Sequence, residues 1–273
     1  MKISAKQAAA VTFTVLFLAF HHTAHSSNGG VKPAPEGMAL VPAGDFLMGS
    51  TQQEIDSMKK EFGGRVLYKD YPFETEMPKR KVKLKAFYID IYEVTNRKYM
   101  EFIKQTGHAA PQHWSGGTYP ADSPDNPVLY VNKEDAEAYA KWAHKRLPTE
   151  EEWEKAARGT DGRVFPWGNK FDPNMAATAD SNLEFIEHGF CKVNTGNKVG
   201  LAPGDVSPYG AHDMAGNSRE WTATLDPAHK DMAVLKGASW VDLNITARAA
   251  YRESVPVESR SHIITFRCVK DAE

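Results

Sequence analysis

Turn-forming residues dominate the second half of the chain and limit what it can fold into. After Gly159 the segments FPWGN, NTGNKVG, APGDVSPYG and DMAGNSREW bring glycine, proline or asparagine every few residues. These residues supply the backbone angles of tight turns and interrupt helical periodicity. The 20 glycines and 16 prolines are spread along the chain, which is not the pattern of a low-complexity protein. We therefore expect a compact fold with few regular elements and long ordered loops.

The first half of the chain carries the helical patterns. Residues 95–107 and 132–146 each start with a capping residue and repeat apolar side chains on one helical face. A shorter helix follows Thr149, which forms a capping box with Glu152. Gly159 ends that helix, since glycine readily adopts the backbone angles found after a last turn. Another helix, followed by an irregular loop, is expected between residues 51 and 80.

Strand patterns flank these helices. Residues 38–50 contain two short apolar strands around a Pro-Ala-Gly-Asp turn. Basic and apolar residues alternate over 81–94, which predicts one half-buried strand. Weaker alternation at 234–240 and 264–270 predicts two further strands near the C-terminus. Together with the helices, these strands predict a single domain of the α+β class.

The N-terminus has the composition of a secretion signal. Two lysines precede the apolar run 8–20, which is shorter than the about 20 residues that span a bilayer, and small polar residues follow it. We expect a signal peptide over 1–26, a linker over 27–36 and the folded domain over 37–271. An uncleaved anchor is the alternative, and both place the domain in the periplasm or outside the cell.

Charge and cysteine content narrow the function classes. With 33 basic and 35 acidic residues, the chain offers no electrostatic reason to bind nucleic acid or an acidic membrane. Cys191 and Cys268 are its only cysteines, and in an oxidising compartment they are candidates for one disulfide. Without a nearby histidine the two are a poor zinc site. The partner is therefore expected to be an envelope protein or a small molecule.

Two polar groups of residues are candidates for a site. Asp213 and Glu220 flank a Gly-Asn turn, where carboxylates and carbonyls suit Ca²⁺, although a turn with solvated acids is the alternative. Further along the chain, a group of arginines and carboxylates follows a Gly-Ala-Ser-Trp segment. These residues can line a pocket, or alternatively they can form structural ion pairs between loops. That second group, with its serine, comprises Ser239, Trp240, Asp242, Arg248, Arg252 and Glu253.

Seven blocks of sequence resemble one known family. In order they are MALVPAGDFLMGS, PKRKVKLKAFYIDIYEVTNRKYMEFI, NPVLYVNKEDAEAYAKWAHKRLPTEEEWEKAARG, FPWGN, SPYGAHDMAGNSREWTA, VLKGASW and ITFRC. Over 37–271 the chain is similar to the sulfatase-modifying factor, or formylglycine-generating enzyme, family. The resemblance implies a C-type-lectin-like α+β fold with little regular structure, often stabilised by calcium.

The resemblance also implies a calcium ligand set. It would consist of the Asp213 side chain, the main-chain carbonyls of Gly216 and Ser218, and the Glu220 carboxylate. A second calcium site in the family needs an asparagine where this chain has Ala177, so that second site is not expected here.

The family's catalytic residues do not carry over. Active members bind copper through two cysteines just after the block that matches GASW, and the first of them corresponds to Asp242. The second has no counterpart, because no cysteine lies between Cys191 and Cys268. Thiolates hold Cu(I), and a carboxylate does not replace them. An expected aromatic is replaced by Arg219. We therefore expect no copper and no oxidation of a sulfatase cysteine.

Two hypotheses follow for the function. The first is a maturation, accessory or binding role in the envelope. The second is a cysteine-independent tailoring enzyme that reuses the pocket, like the family member that matures a siderophore chromophore in the periplasm; residual formylglycine formation is the least expected. A carboxylate buried in a deep cleft, Asp242 or Glu253, would favour the enzyme. Arg–carboxylate pairs on a shallow surface would favour binding.

Overall fold

The computed structural model describes residues 34–62, 72–181 and 197–272. The signal peptide predicted over 1–26, most of the linker over 27–36 and Cys191 lie outside the described residues, so these assignments stay predictions. In the part of the chain that the structure describes, no helix has both the length and the apolar character to cross a membrane.

The first sheet joins the two ends of the domain. Strand β1 (Met38–Val41) pairs antiparallel with β4 (Phe87–Asp90), and β4 pairs antiparallel with β9 (Val269–Asp271). Apolar residues of β1 and β4 are buried, which closes this sheet over the core. Residues about 180 positions apart are thereby held side by side, so the domain is complete only when its C-terminal strand is in place.

The segment 81–94 was predicted as one strand, and this prediction is wrong. Strand β3 (Arg80–Leu84) pairs with β2 (Gly44–Met48) in a two-stranded sheet, whereas β4 belongs to the first sheet. Val41 faces Phe87 and Gly44 faces Leu84, so the turn at residues 42–43 lies opposite residues 85–86. The chain passes from the first sheet to the two-stranded sheet at that turn. The predicted strand 81–94, which pairs with both β1 and β2, is therefore interrupted at residues 85–86.

The third sheet supports the candidate site. Its order is β7 (Glu253–Pro256), β6 (Met232–Lys236), β5 (Arg219–Leu225) and β8 (Ile264–Thr265). The pairings are antiparallel except β5 with β8, which is parallel. Arg219 begins β5 and Glu253 begins β7, and the Gly-Ala-Ser-Trp segment follows β6. The strand β5 was not predicted from the sequence.

The helices confirm the capping signals. Helix α1 (Gln52–Phe62) lies in the predicted region, and α2 (Asn96–Thr106) ends at Gly107, whose φ is 73°. Helix α4 (Glu150–Arg158) has the predicted capping box at its start. Helix α3 (Lys133–Trp142) is shorter than the predicted 132–146. It ends early because the chain turns immediately after it, where His144 has a φ of 55°.

Two apolar clusters form most of the core. Aromatic rings of α2, α3 and the third sheet pack together around Tyr99, whose ring stacks on Tyr139 at 5.8 Å. The second cluster surrounds Trp153 of α4 and includes Phe87 and Ile89 of β4. Trp153 and Trp221 are completely buried. Helix α4 therefore lies against the sheets through Trp153, which places this ring beside the start of β5.

Candidate functional site

The predicted calcium ligand Glu220 lies in a buried ion pair. Both of its oxygens accept from Arg267, from Nε and Nη2 at 2.7 Å each, and Oε2 also accepts from Trp153 Nε1 at 2.8 Å. Neither partner of the pair is exposed to solvent. A paired carboxylate and guanidinium satisfy each other's charge inside the core. Glu220 is thus already held by a cation of the protein itself.

Arg267 also connects segments that are distant from it in the chain. It donates to the carbonyl oxygens of Asp90, Ile91 and His212 at 3.2, 3.2 and 2.7 Å. Burial alone would lower the pKa of Arg267, but the Glu220 carboxylate outweighs it and raises the pKa above its usual value. Arg267 therefore stays charged and joins two segments, the end of β4 and the loop at His212, to β5.

Carboxylates other than Glu220 have free oxygens in the same region. Glu93 accepts from Asn217 through Oε2 at 2.6 Å, and Asp205 accepts from the Ala215 amide through Oδ2 at 2.8 Å. Among the described residues the second oxygen of each, and the hydroxyl of Ser218, is buried without a hydrogen bond. Such orphaned oxygens are costly unless a cation or water satisfies them.

The pKa values of these acids reflect their crowding. Burial and the neighbouring Asp213 raise the pKa of Asp205 to about 8, and burial raises the pKa of Asp213 to about 6. Burial, with repulsion from Asp213 and Glu220, raises the pKa of Glu93 well above its usual value. The four acids share one guanidinium, that of Arg267. The group therefore carries excess negative charge once it is ionised.

These observations bear on the predicted calcium set. Asp213 is buried and accepts from the Gly200 amide at 2.5 Å, and Ser218 brings an orphaned hydroxyl. The main-chain oxygen of Gly216 accepts from the Ser218 amide at 3.0 Å. Over residues 34–62, 72–181 and 197–272, no three His, Cys, Asp or Glu side chains are arranged to hold a metal. The region fits a cation in charge, but Glu220 already pairs with Arg267, so the predicted calcium ligand set stays a prediction.

Asp242 forms the centre of the second candidate group. Its Oδ2 accepts from the amide and hydroxyl of Ser239 at 2.7 and 2.6 Å, and from Arg219 Nε at 2.8 Å. Its Oδ1 accepts from Arg219 Nη2 at 2.6 Å. Three bonds saturate Oδ2, and Oδ1 keeps one acceptor position beside its bond to Arg219. The resulting Asp242 site is a closed ionic contact between the loop after β6 and the start of β5.

Arg219 links Asp242 to Glu253. Its Nη1 pairs with Glu253, whose Oε2 also accepts from the Tyr251 hydroxyl at 3.2 Å. Burial alone would lower the pKa of Arg219, but its bond to Asp242 outweighs that and raises the pKa. The sequence prediction did not include Arg219 or Tyr251 among the site residues. Arg219 was noted only for replacing an expected aromatic, and that replacement was the available signal.

A half-buried row of rings continues from the Asp242 site. The Trp240 ring meets His262 edge-on at 6.2 Å, His262 lies 6.4 Å from Tyr130, and Tyr130 lies 4.7 Å from His113. Within the described chain, Trp240 Nε1 is buried without a hydrogen-bond partner. Burial lowers the pKa of His113 to about 4, so this ring is neutral at neutral pH. The row therefore presents aromatic rings, and the His113 ring at its far end is uncharged.

Arg248 and Arg252 do not join the Asp242 site. Arg248 pairs with Glu76 at 2.6 Å and donates to the Ile245 carbonyl at 2.7 Å. Arg252 donates to Glu150 at 2.8 Å. The 3-10 turn Asn244–Thr246 redirects the chain after Asp242, which carries both arginines to other partners. Five of the six predicted pocket residues are thus divided among three separate contacts, and Trp240 belongs to the row of rings.

Cys268 has a structural environment. Its side chain is fully buried, and its amide donates to Asp90 Oδ2 at 3.0 Å. Burial raises the pKa of the thiol well above its usual value, which suppresses the reactive thiolate. Because Cys191 lies outside the described residues, the disulfide between the two stays a prediction.

Comparison with known proteins identifies the family. Residues 25–272 match the family described as the sulfatase-modifying factor enzyme 1-like domain. The chain belongs to this family. It is 33% identical to the inactive C-alpha-formylglycine-generating enzyme 2 of Mus musculus, with 86% of each chain covered. It is 32% identical to the formylglycine-generating enzyme of Bos taurus, over 89% of this chain and 77% of that protein.

Solved structures support the fold. PvdO from Pseudomonas aeruginosa matches with a TM-score of 0.65 at 22% identity, covering 86% of this chain and 94% of PvdO. CarF matches with a TM-score of 0.60 at 18% identity, covering 88% and 99%. At these identities the likeness is one of fold. The α+β formylglycine-generating-enzyme fold and the family resemblance predicted from the sequence are confirmed.

Proposed function

We propose that this member of the family does not convert sulfatase cysteine to formylglycine and serves a maturation, accessory or binding role in the cell envelope. The observation that carries the proposal is the Asp242 carboxylate, which accepts two bonds from Ser239 and two from Arg219. A carboxylate that is paired with an arginine and has one oxygen saturated has little capacity left to bind a metal.

The sequence supports the same proposal. No cysteine lies between Cys191 and Cys268, so no thiolate pair follows the Gly-Ala-Ser-Trp segment. Without soft ligands the site lacks the means to hold Cu(I). The Asp242 and Glu253 carboxylates are held in Arg219 pairs, and this pairing is the part of the binding criterion that the site meets. A relative whose name calls it inactive, at 33% identity, adds further support.

The proposal extends to location and to calcium. Residues 1–26 have the features of a secretion signal, which supports a location in the periplasm or outside the cell. The acidic group around Asp213 would be held together by a structural calcium ion, and no copper is proposed. The partner in this role is an envelope protein or a small molecule.

A direct assay tests the inactive assignment. The purified exported chain is incubated with Cu(I), oxygen and a cysteine-containing sulfatase peptide, and aldehyde is detected by hydrazide labelling. The bovine relative named formylglycine-generating enzyme is the positive control. We expect aldehyde with the bovine protein and none with this chain. Aldehyde formation by this chain at a comparable rate would overturn the proposal.

The second candidate function is a cysteine-independent tailoring enzyme, as in maturation of a siderophore chromophore. The buried, unpartnered Trp240 Nε1 beside His262 favours it, because a substrate oxygen can accept from that donor. Small-molecule extracts of a deletion strain complemented with wild type or Trp240→Phe separate the two functions. A product restored only by the wild type supports the enzyme. Identical extracts from all strains support the binding role.

A further inference from the structure

A cavity of 370 Å³ lies between helix α1 and the loop 164–171. Its volume is within the range of about 300–1,000 Å³ that small-molecule sites occupy. Of the six pocket residues predicted from the sequence, Arg248 lines it, and Asp242 does not. The cavity is therefore separate from the Asp242 site on which the proposed function rests.

One wall of the cavity is a rigid aromatic loop. Phe165 stacks on Trp167 with ring centroids 5.2 Å apart, and it lies 5.6 Å from Phe171. The amides and carbonyls of Phe165 and Gly168 exchange hydrogen bonds of 2.8 and 3.0 Å, and the Ala249 amide donates to the loop at 2.8 Å. Because the loop is already fixed, a ligand that packs on these rings pays little ordering entropy.

The opposite wall is helix α1, which is anchored from behind. Its Ile55 is fully buried against Phe73 and Ile245. Ser57 and Met58 line the cavity from the same helix. The helix thus presents a flexible apolar side chain and a small polar one, and the space between the helix and the aromatic loop is open.

Two ion pairs of the cavity are balanced. Glu54 on α1 pairs with Lys79 at 2.5 Å, and Arg248 pairs with Glu76 at 2.6 Å. Each of these pairs contributes one positive and one negative charge, so they leave the net charge of the cavity unchanged. They do place the Arg248 guanidinium on its inner surface.

Among the described residues, the remaining charges at the cavity are positive in excess. Arg158 lines the cavity and pairs with Glu154 at 2.8 Å, but Glu154 also holds Lys236 at 2.9 Å. One carboxylate therefore serves two cations in the buried interior. Lys170 adds a further cation at the exposed rim. A pocket with excess positive charge and low-dielectric walls attracts anions.

We propose that this cavity binds a small aromatic anion, such as an aromatic carboxylate or sulfonate. The ring would pack on Phe165 and Phe171, and the acid group would lie toward Lys170. Aromatic packing supplies the contact area, whereas the excess positive charge selects an anion over a neutral analogue.

Competition binding tests the ligand class. The probe is 1-anilinonaphthalene-8-sulfonate, whose fluorescence is followed as 4-phenylbutyrate, 4-phenylbutanol or inorganic sulfate displaces it from the full exported chain. We expect 4-phenylbutyrate to displace the probe at a concentration at least about five-fold lower than the alcohol, a difference of about 1 kcal/mol. Equal displacement by the alcohol, or displacement by sulfate alone, would overturn the proposal.

Variants tie the binding to this cavity. Ser57→Trp is expected to fill the space and weaken probe binding by at least about ten-fold, as loss of a buried aromatic contact does. Lys170→Gln should weaken it about two- to five-fold, with Lys104→Gln, which does not line the cavity, as the matched control. Circular dichroism checks that each variant is folded. If folded Ser57→Trp and Lys170→Gln both bind like wild type, the site is wrong.

Discussion

Arg219 and Glu220 are neighbours on β5, and each belongs to a different Arg–carboxylate centre. Glu220 pairs with Arg267, and both side chains are 0% exposed. Arg219 pairs with Asp242, and their side chains are 14% and 12% exposed. Successive residues of a strand point to opposite faces, so one strand supplies the core with one residue and the site with the next. An Arg–carboxylate pair therefore stabilises the core on the Glu220 face of β5. On the Arg219 face, the same kind of pair is partly exposed and can be substituted at lower cost.

Removing Arg267 should produce the largest loss of stability. Arg267→Leu leaves the Glu220 carboxylate buried without a cation, which typically costs about 3–5 kcal/mol. The free energy of unfolding, measured by urea titration with circular dichroism, should fall by that amount.

An exposed ion pair provides the matched control. Lys81 and Asp45 have side chains that are 69% and 43% exposed. Lys81→Met should therefore lower the free energy of unfolding by less than about 1 kcal/mol. If Arg267→Leu lowers the free energy of unfolding no more than Lys81→Met does, the buried Arg267–Glu220 pair does not stabilise the fold as described.

Calcium should bind at Asp213, next to the buried Glu220–Arg267 pair, and it should stabilise the chain more strongly at high pH. The raised pKa values of Asp213 (about 6) and Asp205 (about 8) mean that the folded chain keeps protons which the unfolded chain has lost. The stability of the calcium-free chain should therefore fall as pH rises from about 4 to about 8. Calcium at about 100 times its Kd should raise the melting temperature by about 5–10 °C at pH 8, and by less at pH 5.

Two variants show where calcium acts. Asp213→Asn removes a proposed ligand and should abolish the rise in melting temperature, whereas Asp242→Asn on the other face should leave it intact. Thermal unfolding with calcium or with a chelator measures both. The same melting temperature in calcium and in chelator at both pH values would exclude a structural calcium ion.

The sequence predicted features that depend on neighbouring residues better than contacts between residues that are distant in the chain. The capping box of α4 and Gly107 after α2 lie within the elements they define, and both were predicted correctly. Strand β5 was missed because its residues do not alternate: Glu220, Trp221 and Thr222 are all buried, and the pairing with β6 is irregular between Trp221 and Leu225. The Arg248–Glu76 contact joins residues 172 positions apart, so a grouping of arginines by sequence proximity failed. Spacing along the chain predicts which residues are close in space only if those residues belong to the same helix, strand or turn.

Changing Asp242 should cost less than removing Arg267. Asp242→Asn keeps the shape and one acceptor but loses the charge-assisted bonds to Arg219, and Arg219 retains Glu253. Because the pair is only partly buried, we expect a loss of about 1–2 kcal/mol in the free energy of unfolding. A loss as large as that of Arg267→Leu would mean that the two faces of β5 contribute equally to stability.

Glu253→Gln should have the smallest effect of the series. The Glu253 side chain is 37% exposed, and Arg219 keeps its two bonds to Asp242 when Glu253 becomes neutral. Solvent screens such a contact, so the free energy of unfolding should fall by less than about 1 kcal/mol. In about 1 M salt, where the Debye length is about 3 Å, wild type and variant should become nearly equal. Urea unfolding of both at low and high salt measures the difference. A loss clearly above about 1 kcal/mol, or one that salt does not reduce, would place Glu253 with the core pair instead of the site.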